Sequence, residues 1–171
     1  MKNKINWNDL RDRAYKMACD HGFHDKKRSV EEAIELIHCE LAEATESLRN
    51  GEAYHWIAEN GKPEGFIVEV VDAIIRIMDF MGEQQIREAK PECDLRSYVL
   101  SPMDLMKEVR WNLCNTAVWS GHNSGLSIRY LKIALFHLVR FIELNGYDPE
   151  ALIEEKMAYN ATRSYKHGKA F

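Results

Sequence analysis

Glu40 and Glu43 stand three residues apart, and so do Glu69 and Asp72. In a helix a step of three puts both side chains on one face, about one turn from each other. Two such pairs on consecutive, loop-joined helices that pack antiparallel can face one another and offer four carboxylates to a single cation. Donor sets made only of oxygen suit Mg²⁺ or Mn²⁺, and no histidine takes the place that a di-iron Glu-x-x-His pair requires. Both pairs border apolar stripes: Glu40 lies beside Ile37, Leu41 and Ala44, and Asp72 beside Val71 and Ile75. Half-buried carboxylates repel at high cost unless a cation joins them. A single pair in a chain with 27 acidic residues reads as a solvated helix face. Two pairs, each against an apolar stripe, put a metal site on equal terms with that reading. Glu46 continues the three-residue spacing one turn beyond Glu43. Glu31, Glu32 and Glu35 suit the first turns of their helix through its dipole.

The elements that must position these acids are helical. Apolar residues recur at spacings of three and four, and strand signals are nearly absent, so the expected fold is all-α. A first helix is expected from about Trp7 to Asp20, followed by the loop HGFHDKKR. Ser29 with Glu32 forms a capping-box pattern that opens a second helix, which ends near Gly51. Residues 52–65 read as a loop or broken turn. A third helix, the most apolar, begins at Gly65 or Phe66. The polar stretch REAKPECDLRSYVL connects two helical halves. Ser101 and Pro102 cap and open a fourth helix through about Trp119, a fifth runs from about Ser127 to Asn145, and Asp148 with Pro149 opens a last one through about Arg163.

The expected organisation is a single domain over 1–171, with a metal-binding half (1–90), a metal-free half (91–147) and a C-terminal helix with a basic tail (148–171). LIHCELAEATESLRNG echoes LMKEVRWNLCNTAVWSG, and IIRIMDFMG echoes LVRFIELNG. A degenerate tandem duplication of a helical hairpin and the general likeness of such hairpins explain the echo equally well. In the second copy the acid positions fall on Arg110, Leu113, Ile133 and Phe136. The fourth and fifth helices are apolar enough that they must cover either the first half or another chain.

The 171 residues, 46% of them hydrophobic, fit one well-packed domain. A formal charge of −4 with scattered Lys and Arg argues against a nucleic-acid partner. Four widely spaced cysteines fit free thiols in a reducing compartment. Neither a signal-like stretch in MKNKINWNDLRDR nor a run of about 20 apolar residues is present, so a cytoplasmic protein with no membrane association is expected.

ELAE (40–43) followed by EVVD (69–72) resembles the E-x-x-E…E-x-x-D signature of the MazG-like all-α nucleoside triphosphate pyrophosphohydrolases. RSVEEAIELIHCELAEATESLRNG, KPEGFIVEVVDAIIRIMDFMG and EKMAYNATRSYKHGKAF carry the likeness, about half the chain. The resemblance implies a helical bundle that forms a homodimer or higher homo-oligomer, or pairs tandem copies. It also implies Mg²⁺-dependent cleavage between the α and β phosphates of a (deoxy)nucleoside triphosphate. Carried over by motif, Glu40, Glu43, Glu69 and Asp72 are the metal ligands. Cys39 stands where many members have a further Glu, and the block from about Pro91 to Leu144 looks like an insertion.

In such chemistry a carboxylate not fully used by the metal, Glu43 or Glu46, would deprotonate the attacking water. Lys156, Asn160 and Arg163 recur at helical spacing, with Lys166, His167 and Lys169 following, and with the resemblance they read as a triphosphate clamp rather than a solvated basic end. Phosphoribosyl-ATP or dUTP/dCTP-specific hydrolysis is the neighbouring enzymatic alternative. A helical module that only binds a nucleotide or protein is the alternative of another class. Neutralising Glu40 or Asp72 is expected to remove activity while leaving the fold intact or more stable.

Overall fold

The structure is a computed structural model describing residues 5–93 and 101–165. It is all-α apart from one small ribbon. The helices are α1 (Trp7–Asp20), α2 (Val30–Arg49), α3 (Phe66–Glu83), α4 (Pro102–Ser120), α5 (Ser124–Leu144) and α6 (Pro149–Ala161). Between α2 and α3, where the sequence suggests only a loop, β1 (Trp56–Ile57) pairs antiparallel with β2 (Pro63–Glu64). Two residues per strand leave no periodic signal to read.

The helix starts follow from their caps. The Ser29 hydroxyl accepts from the Glu32 N–H at 3.1 Å. The full reciprocal box forms instead at α4, where Ser101 and Asp104 satisfy each other's backbone N–H ahead of Pro102. α5 starts three residues before the expected Ser127, because the Asn123 side chain accepts from the Leu126 N–H at 3.0 Å and caps it earlier. α3 begins differently. Gly65 takes φ 110°, and a Cβ there would run into the carbonyl oxygens of Ala53 and Tyr54, so only glycine lets the ribbon turn tightly into the helix. The Ile67 N–H then donates to the Tyr54 carbonyl at 2.9 Å and ties the segment just before β1 to the helix.

α3 is the central helix. Phe66, Ile67, Val70, Ile74, Ile77, Met78 and Met81 are all shut off from solvent. At about 1.5–3 kcal/mol for each fully buried large side chain, this one helix supplies a large share of the hydrophobic stabilisation. It packs on α1, α2, α5 and α6. α2 and α3 form one hairpin and α4 and α5 a second, and the second lies against the first through α2–α4 and α3–α5 contacts. The apolar faces of residues 101–145 therefore cover the first half of the chain. A single apolar cluster includes side chains from all six helices. Inside the α4–α5 pair, Ser127 donates to the Thr116 carbonyl at 2.7 Å and Thr116 to the Asn112 carbonyl at 2.9 Å, so the buried hydroxyls are satisfied. Among the described residues no helix is long and apolar enough to cross a membrane.

Candidate metal centre

The most buried helix carries a polar stripe. Glu69, Asp72, Arg76 and Asp79 recur along α3 at steps of three, four and three, and all four line one cavity of about 280 Å³. α2 contributes Glu40 and Glu43 to its wall, α6 contributes Lys156 and Asn160, Arg163 enters from the segment just after α6, and Lys62 enters from the ribbon. α1 and the turn after it close the remaining side with Ala14, Met17, Ala18 and Phe23.

Antiparallel packing of α2 on α3 brings three of the four expected ligands together. One carboxylate oxygen from each of Glu40, Glu43 and Glu69 lies within 4.8 Å of the others. Octahedral Mg²⁺ with bonds of about 2.0–2.1 Å holds its ligand oxygens roughly 3–4 Å apart, so this group needs only a slight contraction to hold one. All three donors are carboxylate oxygens, the chemistry a hard divalent cation prefers. Glu40 and Glu69 are buried, and Glu43 stands at the exposed rim.

The electrostatics of the group call for positive charge. Burial raises the Glu69 carboxyl to about 8, with the neighbouring Asp72 charge adding to the effect and Lys156 opposing it. Burial also raises Glu40, although the Arg76 guanidinium donates to its carboxylate and pulls the other way. A cation at the three acids would oppose both shifts by favouring the ionised carboxylates.

Asp72 stands apart from the three. Its carboxylate faces α6, with Lys156 Nζ at 2.8 Å and the Asn160 side-chain amide donating at 3.3 Å. Lys156 is only 2% exposed, so Asp72 is the counter-ion that lets an ammonium reside in the interior. Lys156 and Asn160 thus reach the cavity, as their spacing suggests, and Arg163 lines it as well. Glu46 does not: it is exposed, 3.1 Å from Arg49, on the outer flank of α2 away from the cavity. A second step of three along a helix carries a residue about 60° further round, which turns Glu46 off the shared face. Lys166 lies outside the described residues, as do His167 and Lys169.

Three charged groups at the site carry no sequence motif of their own. Lys62 is 2.7 Å from Glu64. Burial works against its charge, but the Glu64 hydrogen bond and the charges of Glu64, Glu69 and Asp72 outweigh that and raise it. Arg76 and Asp79 are the other two. Their signal was present in the spacing, since both extend the Glu69–Asp72 stripe along a helix whose other positions are nearly all apolar. No family model, curated protein sequence or solved structure matches this chain.

Proposed function

We propose that this chain is a divalent-metal-dependent hydrolase of nucleoside triphosphates, releasing the monophosphate and pyrophosphate. The observation that carries the proposal is the convergence of three carboxylates and a row of cationic side chains on one cavity: Glu40, Glu43 and Glu69 at one end, with Lys62, Lys156 and Arg163 around it. A polyanion that arrives with a metal ion requires both kinds of group side by side.

Glu40, Glu43 and Glu69 would hold Mg²⁺ or Mn²⁺. Bound there, the metal supplies charge neutralisation and polarisation of a phosphoryl group. The protein's own groups do the rest. Lys62 and Arg163, which both line the cavity, bind phosphate oxygens. Lys156, held in place by Asp72, presents a fixed ammonium to the same oxygens without conformational cost at the moment of reaction. Glu43, at the rim and open to solvent, accepts the proton of the attacking water. Glu46 is too far round the helix to do so.

Pyrophosphate release from a panel of ribo- and deoxynucleoside triphosphates, with and without Mg²⁺, tests the proposal. Metal-dependent release of one pyrophosphate per monophosphate is expected, and release of orthophosphate alone, or no release, would overturn it.

A further inference from the structure

Beyond Arg76 the cavity changes character. Asp79 lies ten residues past Glu69 on α3, about 15 Å along the helix axis, and the wall facing it is the Ala14–Met17–Ala18 face of α1. α1 runs antiparallel to α3: Tyr15 packs on Gly82, and Arg11 donates to the Ile86 carbonyl at 2.5 Å. Spacings of three and four put Ala14, Met17 and Ala18 on one face of α1, and Phe23 and Ile75 line the same cavity, so apolar side chains wall this end.

Asp79 lines this cavity together with His21 and Arg76. Asp79 is 6% exposed, and its carboxylate is fixed from behind by two α1–α2 loop residues, His24 Nε2 at 2.6 Å from one oxygen and the Arg28 guanidinium at 3.0 Å from the other. Both partners are themselves held, since Arg28 also binds Glu83 at 3.0 Å and the His24 ring packs edge-on against Tyr15. A carboxylate oxygen has two lone pairs, so each retains one acceptor site after these contacts. The metal-binding and phosphate-binding mechanism above uses neither Asp79 nor its supports.

We propose that the α1 end of the cavity is a nucleobase slot and that Asp79 is its specificity residue, favouring bases whose edge presents an exocyclic amino group. The inference rests on the triphosphate reading of the acidic end. Its chemistry is separate. An ionised carboxylate only accepts hydrogen bonds. The amino group of cytosine or adenine donates to it, whereas uracil and thymine present a carbonyl oxygen at the corresponding position and bring two acceptors together. A site built around a buried polar group rejects an isostere that leaves that group unpaired. Asp79 is held rigidly enough by His24 and Arg28 to enforce the distinction.

Cytosine and uracil are the sharpest pair of probes, because they match in size and differ at this edge. Binding of the α,β-imido analogues of dCTP and dUTP in the presence of Mg²⁺ is measured by calorimetry on the wild type, on Asp79→Asn and on Glu46→Gln. The wild type should prefer the cytosine analogue by about tenfold or more, Asp79→Asn should bring the two within about twofold, and Glu46→Gln, a loss of one acid outside the cavity and outside the Asp79 network, should keep the preference. A third variant, Ala18→Leu, fills the slot and should weaken both analogues at least tenfold while Mn²⁺ binding, read by electron paramagnetic resonance, is unchanged; this arm decides the location of the slot even if Asp79→Asn does not fold. Equal wild-type affinities, a preference that survives Asp79→Asn, or tight binding by Ala18→Leu would each overturn the assignment. Failure of the wild type to bind either analogue would instead overturn the triphosphate reading.

Discussion

The Lys156 ammonium sits 2.8 Å from the Asp72 carboxylate, and almost none of its surface reaches solvent. Asp72 is therefore a structural counter-ion as well as a motif acid. The sequence alone suggests that neutralising Asp72 relieves repulsion. With a buried ammonium depending on it, Asp72→Asn should instead destabilise the protein, by roughly 2–4 kcal/mol, because the lost charge leaves Lys156 uncompensated. Lys156→Met should cost less, since Asp72 keeps the Asn160 hydrogen bond and partial access to water. Chemical denaturation of both single variants and of the double variant checks this: the double should recover part of the loss, and strict additivity would show the pair to be uncoupled.

Glu69 makes the stability of the metal-free protein depend on pH. Its folded carboxyl titrates at about 8, above the ordinary value of 4.5. The folded state therefore binds the proton more tightly than the unfolded chain. That contribution is complete below pH 4.5 and is lost as the pH rises to about 8. Without divalent metal the melting temperature should fall across this window. Glu69→Gln should flatten the dependence, and saturating Mg²⁺ should offset it. Thermal melts in chelator at pH 6 and pH 9 measure the effect, and equal slopes for wild type and Glu69→Gln would refute it.

Glu43 and Glu46 separate by position. Glu43→Gln should lower kcat by about 10²-fold or more with little change in melting temperature, as expected when a positioned base at the rim is removed. Glu46→Gln, on the outer flank beside Arg49, should stay within twofold of wild type. Steady-state pyrophosphate release compares the two.

Arg163 lines the cavity yet lies past the end of α6, which terminates at Ala161. Arg163→Gln should raise KM for the triphosphate about tenfold while shifting the melting temperature by no more than a couple of degrees. Truncation after Tyr159 is a different experiment. It also removes Asn160, which is buried and bonded to Asp72, so both KM and stability should worsen.

The helices and the acid pairs were legible because each rests on local rules. Ser101-Pro102 and Asp148-Pro149 mark helix starts through backbone chemistry confined to a few residues, and Glu40/Glu43 with Glu69/Asp72 share faces by helical period alone. What could not be read is what depends on how the helices are placed. Nothing in the α1 sequence distinguishes a face packed on the core from one half-open to a cavity, so Ala14, Met17 and Ala18 read simply as apolar. The pairing of Lys156 with Asp72, and of His24 with Asp79, spans 84 and 55 positions of chain and follows from the packing of α6 and the α1–α2 turn on α3. Glu46 shows the opposite error: a run of equal steps in sequence is a slow spiral on a helix.

Gly22, with φ 80°, lies beneath the ring of Tyr165, whose hydroxyl bonds to Asp25, while His21 reaches the Arg163 carbonyl at 3.1 Å. A Cβ at position 22 would meet the Tyr165 ring, and the left-handed backbone there favours glycine as well. The turn after α1 and the segment after α6 are thereby fastened to each other like a buckle, with α1 and α6 as the two sides of the strap. The distance between the α1 end of the cavity and Arg163 is then set by this closure and not by the α2–α3 hairpin alone. Any residue but glycine at position 22 would loosen the buckle, letting Arg163 and Phe23 drift apart while the acids stayed where they are.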